Sequence, residues 1–397
     1  MDRWLRAWFL LLWLPGTLLA QQGSVPAQQE AAPATPAKDP VLSQRPQAKA
    51  DGMEGRIQLD VVVNAKRGGP VAGLQLKDFT VLDSEKRQEL LSFREIDGTA
   101  AARDGQVEVI LLLDLVNSTF EQAGIARAQI VKFLEQNDGH LAYPTSIMVL
   151  SEEGMRIQPR PSSDGNALAA VLGQANATVH SAGLGEVGRF QLSVRSLASI
   201  AENEVKIPGR KLLIWTGPGW PVLGGQNYGS TAQDRERAFD TIVEIATRMR
   251  EARLALYSIS PMADPKAGAP GVISPPHGGM MPAGEAPQQS GSGSVMSDTA
   301  GGASYKAFLR GVKSAKQADT ENLALQVIAV QSGGRVLDPS NDLATQMANC
   351  QEDLSVFYRL SFNPVAAEHT DEYHELKVKI DRPGLTAHSS LGYYNQP

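Results

Sequence analysis

Cys350 is the single cysteine of the chain, and a thiol becomes a nucleophile only where a base draws off its proton. Nothing local supplies that base. Leu343, Met347, Cys350 and Leu354 recur at helical spacing, which fits a small buried hydrophobe. Gly183-Leu184-Gly185-Glu186-Val187-Gly188 satisfies G-x-G-x-x-G and opens a helical stretch, where a dinucleotide fingerprint would sit, but no clear strand runs into it. His369 and His374, beside Glu368, Asp371 and Glu372, offer metal-ligand chemistry without a zinc spacing; the alternative is a set of solvated polar residues before a strand. Met262, Met280, Met281 and Met296 are soft donors at irregular intervals. No G-x-S-x-G, H-E-x-x-H or phosphate-loop motif occurs. An enzyme, such as an extracytoplasmic hydrolase, would have to assemble its site from distant residues.

The remaining composition narrows the class. The chain has 397 residues and a net charge of -6, and it lacks the clustered cations that phosphate backbones require, which argues against nucleic-acid binding. Its densest basic run, Arg248, Arg250 and Arg253, is interleaved with Glu244 and Glu251 and reads as a solvated helix face. Arg3 and Arg6, an apolar stretch centred on Trp8 to Trp13, and Thr17-Leu18-Leu19-Ala20 form a secretory signal peptide over residues 1–20, cleaved after Ala20. The expected location is therefore secreted or periplasmic, with no transmembrane span in the mature chain. A lone cysteine excludes an internal disulfide.

Elements able to position a site follow in order. Residues 21–54, rich in Gln, Ala and Pro, read as a disordered linker. Residues 55–97 hold three or four short strands, beginning with the alternating Ile57, Leu59, Val61 and Val63. From Val107 to Leu113 an unbroken apolar run predicts a strand buried on both faces. Strands and helices then alternate to residue 353, with helices over 119–136 (Phe120, Ala123, Val131 and Leu134 on one side), 165–174, 187–203, from a Ser230/Gln233 capping box onward, and 323–331. The strands are 146–150, 211–215 and 254–259. Such alternation implies a doubly wound, mostly parallel sheet over 105–353, interrupted by a Gly/Pro-rich disordered insertion at 261–304. Three strands follow, at 355–362, 373–380 and 386–393. The two β pieces, 55–97 and 354–397, are each too small to bury a core alone, so they are expected to form one Ig-like sandwich into which the α/β domain is inserted.

These segments, taken together, resemble the von Willebrand factor A-related (VWFA-related) family of Acidobacteria. The resemblance is carried by Gly69-Pro70-Val71-Ala72-Gly73-Leu74, Lys77-Asp78-Phe79-Thr80-Val81-Leu82, Val109 to Asp114 and Pro208-Gly209-Arg210-Lys211-Leu212-Leu213-Ile214-Trp215. Ser332-Gly333-Gly334-Arg335, Asn341-Asp342-Leu343, and Arg382-Pro383-Gly384 through Gly392-Tyr393-Tyr394 continue it, from about residue 56 to the C-terminus. It implies an A-domain fold and no particular reaction.

The resemblance also implies a place for a site. A-domains build a metal-ion-dependent adhesion site on Asp-x-Ser-x-Ser after the first strand, with a Thr and a second Asp on later loops. Here the first loop reads Asp114-Leu115-Val116-Asn117-Ser118, so Asp114 and Ser118 match while Val116 replaces a hydroxyl. Thr216 stands where many A-domains carry the second Asp, and the Thr ligand falls at Thr178 or Ser181. A Mg²⁺ ion wants about six oxygens, so the site is expected to be degenerate: no cofactor, or weak Mg²⁺ on Asp114 and Ser118. The alternative is that Asp114 caps the following helix. The expected function is non-enzymatic binding of a protein or cell-envelope macromolecule through loops 114–119, 178–188 and 216–229. Asp114, Asn117, Ser118, Thr216 and Gly217 form the rim in this reading, with Trp220 and Tyr228 as aromatic anchors.

Overall fold

The computed structural model describes residues 55–66, 68–158, 160–174, 184–221, 231–262 and 305–397. The expected signal peptide, the linker at 21–54, nearly all of the 261–304 insertion, and Thr178, Ser181, Gly183 and Tyr228 lie outside the described residues.

Alternation in β1 (Ile57–Ala65) sends Ile57, Leu59, Val61 and Val63 into one apolar core and leaves Gln58 and Asp60 on the opposite side. β2 (Phe79–Asp83), β3 (Lys86–Arg87) and β4 (Ser92–Asp97) follow. A short helix, α1 (Gly98–Arg103), whose first amides are capped by the Asp97 carboxylate, leads into β5 (Val107–Asp114), buried at every position. The chain continues through α2 (Phe120–Leu134), β6 (His140–Ser151), β7 (Gly154–Ile157), β8 (Ser162–Asp164), α3 (Gly165–Gln174) and α4 (Glu186–Val205). Next come β9 (Arg210–Thr216), α5 (Ala232–Ala252), β10 (Leu254–Ile259), α6 (Leu325–Gln331) and α7 (Leu343–Glu352). The last strands are β11 (Val356–Phe362), β12 (Glu372–Ile380), β13 (Leu385–His388) and β14 (Gly392–Asn395).

The architecture is mixed α/β. β10, β9, β5 and β6 run parallel in that spatial order. Val109, Leu111 and Leu113 of β5 pack against α2, α3 and α7 on one face, and Ile110 and Leu112 against α4, α5 and α6 on the other. Because β5 precedes both β6 and β9 in sequence, the strand order reverses between β5 and β9, where doubly wound sheets open a crevice beyond their carboxyl ends. Strands from the two chain ends share two antiparallel sheets, in the orders β13-β1-β11-β4 and β14-β12-β2-β3. One core lies between them, including Leu59, Phe79, Tyr358, Phe362 and Tyr393. The chain leaves and re-enters these sheets at one point: Gly98 donates its N–H to the Ser355 carbonyl at 2.9 Å. A side chain at Gly98 would collide with the Leu354 carbonyl.

The central sheet is mostly parallel, with the short β7 and β8 added antiparallel on β6; the Glu152-Glu153 turn reverses the chain between β6 and β7. Three expectations need correction. The expected strand at 386–393 is two strands in different sheets, β13 on β1 and β14 on β12. Ser230 is not described; Thr231 is the N-cap of α5, accepting from the Asp234 N–H. The run Arg248, Arg250 and Arg253 is not uniformly solvated: Arg248 faces water, whereas Arg250 and Arg253 turn inward.

Arg253 ends α5 in the left-handed region, at φ 54°, and reaches β1, where its guanidinium grips Asp60 at 2.7, 2.9 and 3.0 Å. Arg359 of β11 approaches the same carboxylate at 3.5 Å. Burial would raise the Asp60 carboxyl, but Arg253, Arg210 and Arg359 outweigh it and hold it below the ordinary carboxylate range. Removing one member of such a buried ion set strands the others. Asp60→Ala should therefore lower the unfolding free energy by about 3 kcal/mol, measured by urea denaturation at pH 7; a loss below about 0.5 kcal/mol would show that the pair holds nothing together.

Candidate functional site

Asp114 ends β5 and Thr216 ends β9, side by side at the strand-order reversal. Asp114 is fully buried, and both its oxygens are occupied by donors of the chain itself. Oδ1 accepts the N–H groups of Val116 and Asn117, each at 3.0 Å. Oδ2 accepts from Asn117 Nδ2 at 2.8 Å and from the Trp215 indole Nε1 at 2.9 Å. Burial raises the Asp114 carboxyl above its ordinary range, and these four donors pull against that rise. Asn117 Nδ2 also donates to Ser193 Oγ of α4 at 2.9 Å, so the loop is stitched to the helix beside it.

Trp215 does not stand alone. Its ring meets that of Trp220 edge-on, with centroids 5.1 Å apart, and the Trp220 indole donates to the Leu323 carbonyl at 2.8 Å. Val116 is fully buried in the same apolar cluster as both indoles, which accounts for an aliphatic residue where an adhesion site would place a hydroxyl. Gly217 completes the fit: a Cβ there would lie 2.8 Å from that of Asp114. The crevice is thus filled by two indoles and a carboxylate.

The structure brings Asp114, Asn117, Ser118, Thr216 and Gly217 together, but not as an open rim. Trp220, expected as an exposed anchor, is only 5% exposed, because its indole N–H finds a carbonyl inside the fold. Asp114 and Ser118, where the metal is expected to be weak or absent, are both turned to groups of the chain itself. Four N–H groups point their positive ends at the carboxylate, where a cation would have to sit. Ser118 Oγ donates to the Asp114 carbonyl at 2.5 Å. Thr216 brings no charge, and its Oγ1 is buried without a partner, as is Asn117 Oδ1. These residues do not fit Mg²⁺. Nor does Asp114 cap α2; Thr119 does, in a reciprocal capping box with Gln122.

The other candidates resolve plainly. Cys350 is buried in α7, and burial pushes its thiol up to about 12, the opposite of what a nucleophile requires. His374 is buried, not solvated: its Nδ1 lies 2.9 Å from Asp83 Oδ1 and its ring stacks on Tyr393, whose hydroxyl donates to Asp83 Oδ2 at 2.6 Å. His369 is exposed and meets only the Thr370 carbonyl. Among the described residues no group of three or more His, Cys, Asp or Glu side chains could hold a metal ion. Gly185 is the N-cap of α4 and Gly188 packs on Leu184.

Sequence reasoning missed Trp215 and Phe120. Trp215 was legible as a buried strand residue, and an indole N–H buried there demands an acceptor; the neighbouring strand ends in Asp114. Phe120 is expected on one side of its helix with Ala123, Val131 and Leu134, yet it is the first residue of α2 and 84% exposed, beyond the end of the apolar stripe formed by Ala123, Ala126 and Ile130.

No family model matches the chain, and no curated protein matches it. Solved structures similar to it include the VWA domain of SpRpn10, at 12% identity and a TM-score of 0.23, over 39% of this chain and 74% of that one. Proximal thread matrix protein 1 from the mussel byssus is similar at 12% identity and 0.24, over 39% and 38%. The pilus adhesin SpaC of Lactobacillus rhamnosus GG is similar at 8% identity and 0.34, over 80% of this chain and 48% of that one. At such scores the functional reading rests on the chain's own residues. Among the described residues no helix is long and apolar enough to cross a membrane.

The turn that accepts the Trp220 indole carries a titrating group. Burial, then a hydrogen bond that the protonated Glu321 donates to the neighbouring Asp319 carboxylate, pushes the Glu321 carboxyl up to about 7, above its ordinary value near 4.3. Between those values the folded chain holds a proton that the unfolded chain has released, so this group's contribution favours folding at low pH and is lost as pH rises to about 7. The group is partly exposed, so about 1 kcal/mol is expected after solvent screening. The slope of stability between pH 5 and 7.5 should flatten in Glu321→Gln; an unchanged slope would place the proton elsewhere.

Proposed function

We propose that this chain is an exported, non-enzymatic binding protein, in which a von Willebrand factor A-like domain carried on an Ig-like sandwich presents its loop edge to a protein or cell-envelope macromolecule. The observation that carries the reading is Phe120, 84% exposed at the rim of the filled crevice. Among the described residues the crevice is occupied by Trp215, Trp220 and Asp114, whereas an aromatic ring held out at a helix start is what a macromolecular partner can cover. Met262, 51% exposed, follows β10 on the same edge of the sheet and extends the apolar contact. Burying a phenyl ring yields about 2–3 kcal/mol, enough to make Phe120 a dominant contact. Export rests on Arg3, Arg6 and the apolar stretch that follows them. For the hydrolase alternative, Cys350 is buried with its thiol pushed up to about 12, which argues against that one residue as the nucleophile.

The test is recovery of partners from cell-envelope extract by the wild type, by Phe120→Ser and by Leu76→Ser, an exposed apolar residue of the sandwich (46%). Phe120→Ser should reduce recovery about tenfold or more, as loss of at least 1.4 kcal/mol requires, while Leu76→Ser matches the wild type. Equal recovery by all three would sink the reading.

A further inference from the structure

Where the sandwich meets the amino ends of β9 and β10, the structure has a partly open cavity of about 70 Å³, several times the space one water needs. Its charged lining is Asp60, Arg210, Arg250 and Arg253. Three cations against one carboxylate is an imbalance, and the hydrogen bonds show where it lies. Arg253 and Asp60 neutralise each other. Arg210 is 3% exposed, donates to the Asp353 carbonyl at 3.2 Å and lies 4.6 Å over the Phe357 ring; both partners are uncharged. Arg250 has only Glu251, at 4.0 Å, and its Nε is buried with no hydrogen-bond partner.

None of the other lining groups brings a negative charge to these cations: the Tyr373 and Tyr394 hydroxyls donate to the carbonyls of Leu391 and Val312, and Ser332 Oγ donates to Ala329 and accepts from the Leu256 N–H. Burial pulls the Arg250 guanidinium down from its ordinary range, and Glu251, at the 4.0 Å limit of an ion pair, does not offset it. A buried, uncompensated cation is costly, and an oxyanion held by guanidinium N–H groups removes that cost through charge-assisted bonds.

We propose that this seam cavity is a binding site for a phosphate-class oxyanion, held chiefly by Arg250 with Arg210 behind it, which locks the sandwich to the α/β part. The site is remote from the loop edge of the sheet and independent of the function assigned to that edge.

The experiment is thermal unfolding and calorimetric titration of the protein with inorganic phosphate, sulfate, acetate and chloride at matched ionic strength. Phosphate and sulfate should raise the melting temperature by about 3 °C over chloride at saturation. Arg250→Gln, which removes the uncompensated cation and should fold at least as well in chloride, should abolish that rise. Ala246→Leu, which keeps every charge but fills the cavity from α5, should abolish it too. A phosphate response no larger than that of chloride would overturn the proposal, as would a full response in both variants, or a response to acetate alone.

Discussion

The carboxylate of Asp114 sits where the sheet reverses its strand order, and the loop edge is organised around neutralising it without water. In an interior of low polarity, a carboxylate must be ion-paired, metal-bound or surrounded by donors. Here four N–H groups surround it, and each ties a different piece of the edge: the loop after β5 through Val116 and Asn117, β9 through Trp215, and α4 through the second hydrogen bond of Asn117. Trp220 then packs on Trp215 and bonds to Leu323, so the segment before α6 is drawn over the same point. Val116 and Gly217 follow from that arrangement, one filling apolar space and the other leaving room for the carboxylate.

The opposite end of the sheet solves the same problem with cations. Asp60 is gripped by Arg253 and approached by Arg359, while Asp353 accepts the Tyr257 hydroxyl at 2.6 Å and pairs with Arg335 at 2.7 Å. These groups come from strands of the sandwich, from the α/β part and from the junction between them, so they fix how the two parts meet. The two ends differ in outcome: at the loop edge four N–H donors already face the carboxylate oxygens and leave no open position for an ion, whereas the seam carries a surplus cation beside a cavity.

The fold was legible wherever pattern and burial coincide. Val107 to Leu113 is apolar because both faces of β5 are covered, and Ile57 to Val63 alternates because one face of β1 meets the sandwich core while the other meets α5. The division of residues 385–395 between two sheets was not legible, since β13 takes its partner β1 from the far end of the chain while β14 pairs with the nearby β12. At the site, Asp114, Asn117, Ser118, Thr216 and Gly217 were found through the resemblance, but their role was not. Sequence identifies a carboxylate; it does not say whether N–H groups or water will face it. Trp220 and Phe120 were exchanged for a related reason: an aromatic residue near a loop turns inward when a carbonyl such as that of Leu323 awaits its N–H, and outward when, like Phe120, it begins a helix beyond the apolar stripe. The seam arginines were hidden because i, i+3 charge patterns look the same on a solvated face and on a face that meets another domain.

Whether Asp114 is an internal acceptor or a cation ligand can be read from the Trp215 indole N–H by nuclear magnetic resonance of tryptophan-labelled protein, with Mn²⁺ or Mg²⁺ added stepwise. A hydrogen bond to a buried carboxylate predicts an indole proton that exchanges slowly with solvent, keeps its resonance through millimolar Mg²⁺ and is not selectively broadened by stoichiometric Mn²⁺. Rapid exchange, or loss of that one resonance at one equivalent of Mn²⁺, would contradict it and restore an adhesion-type metal site at the sheet's edge.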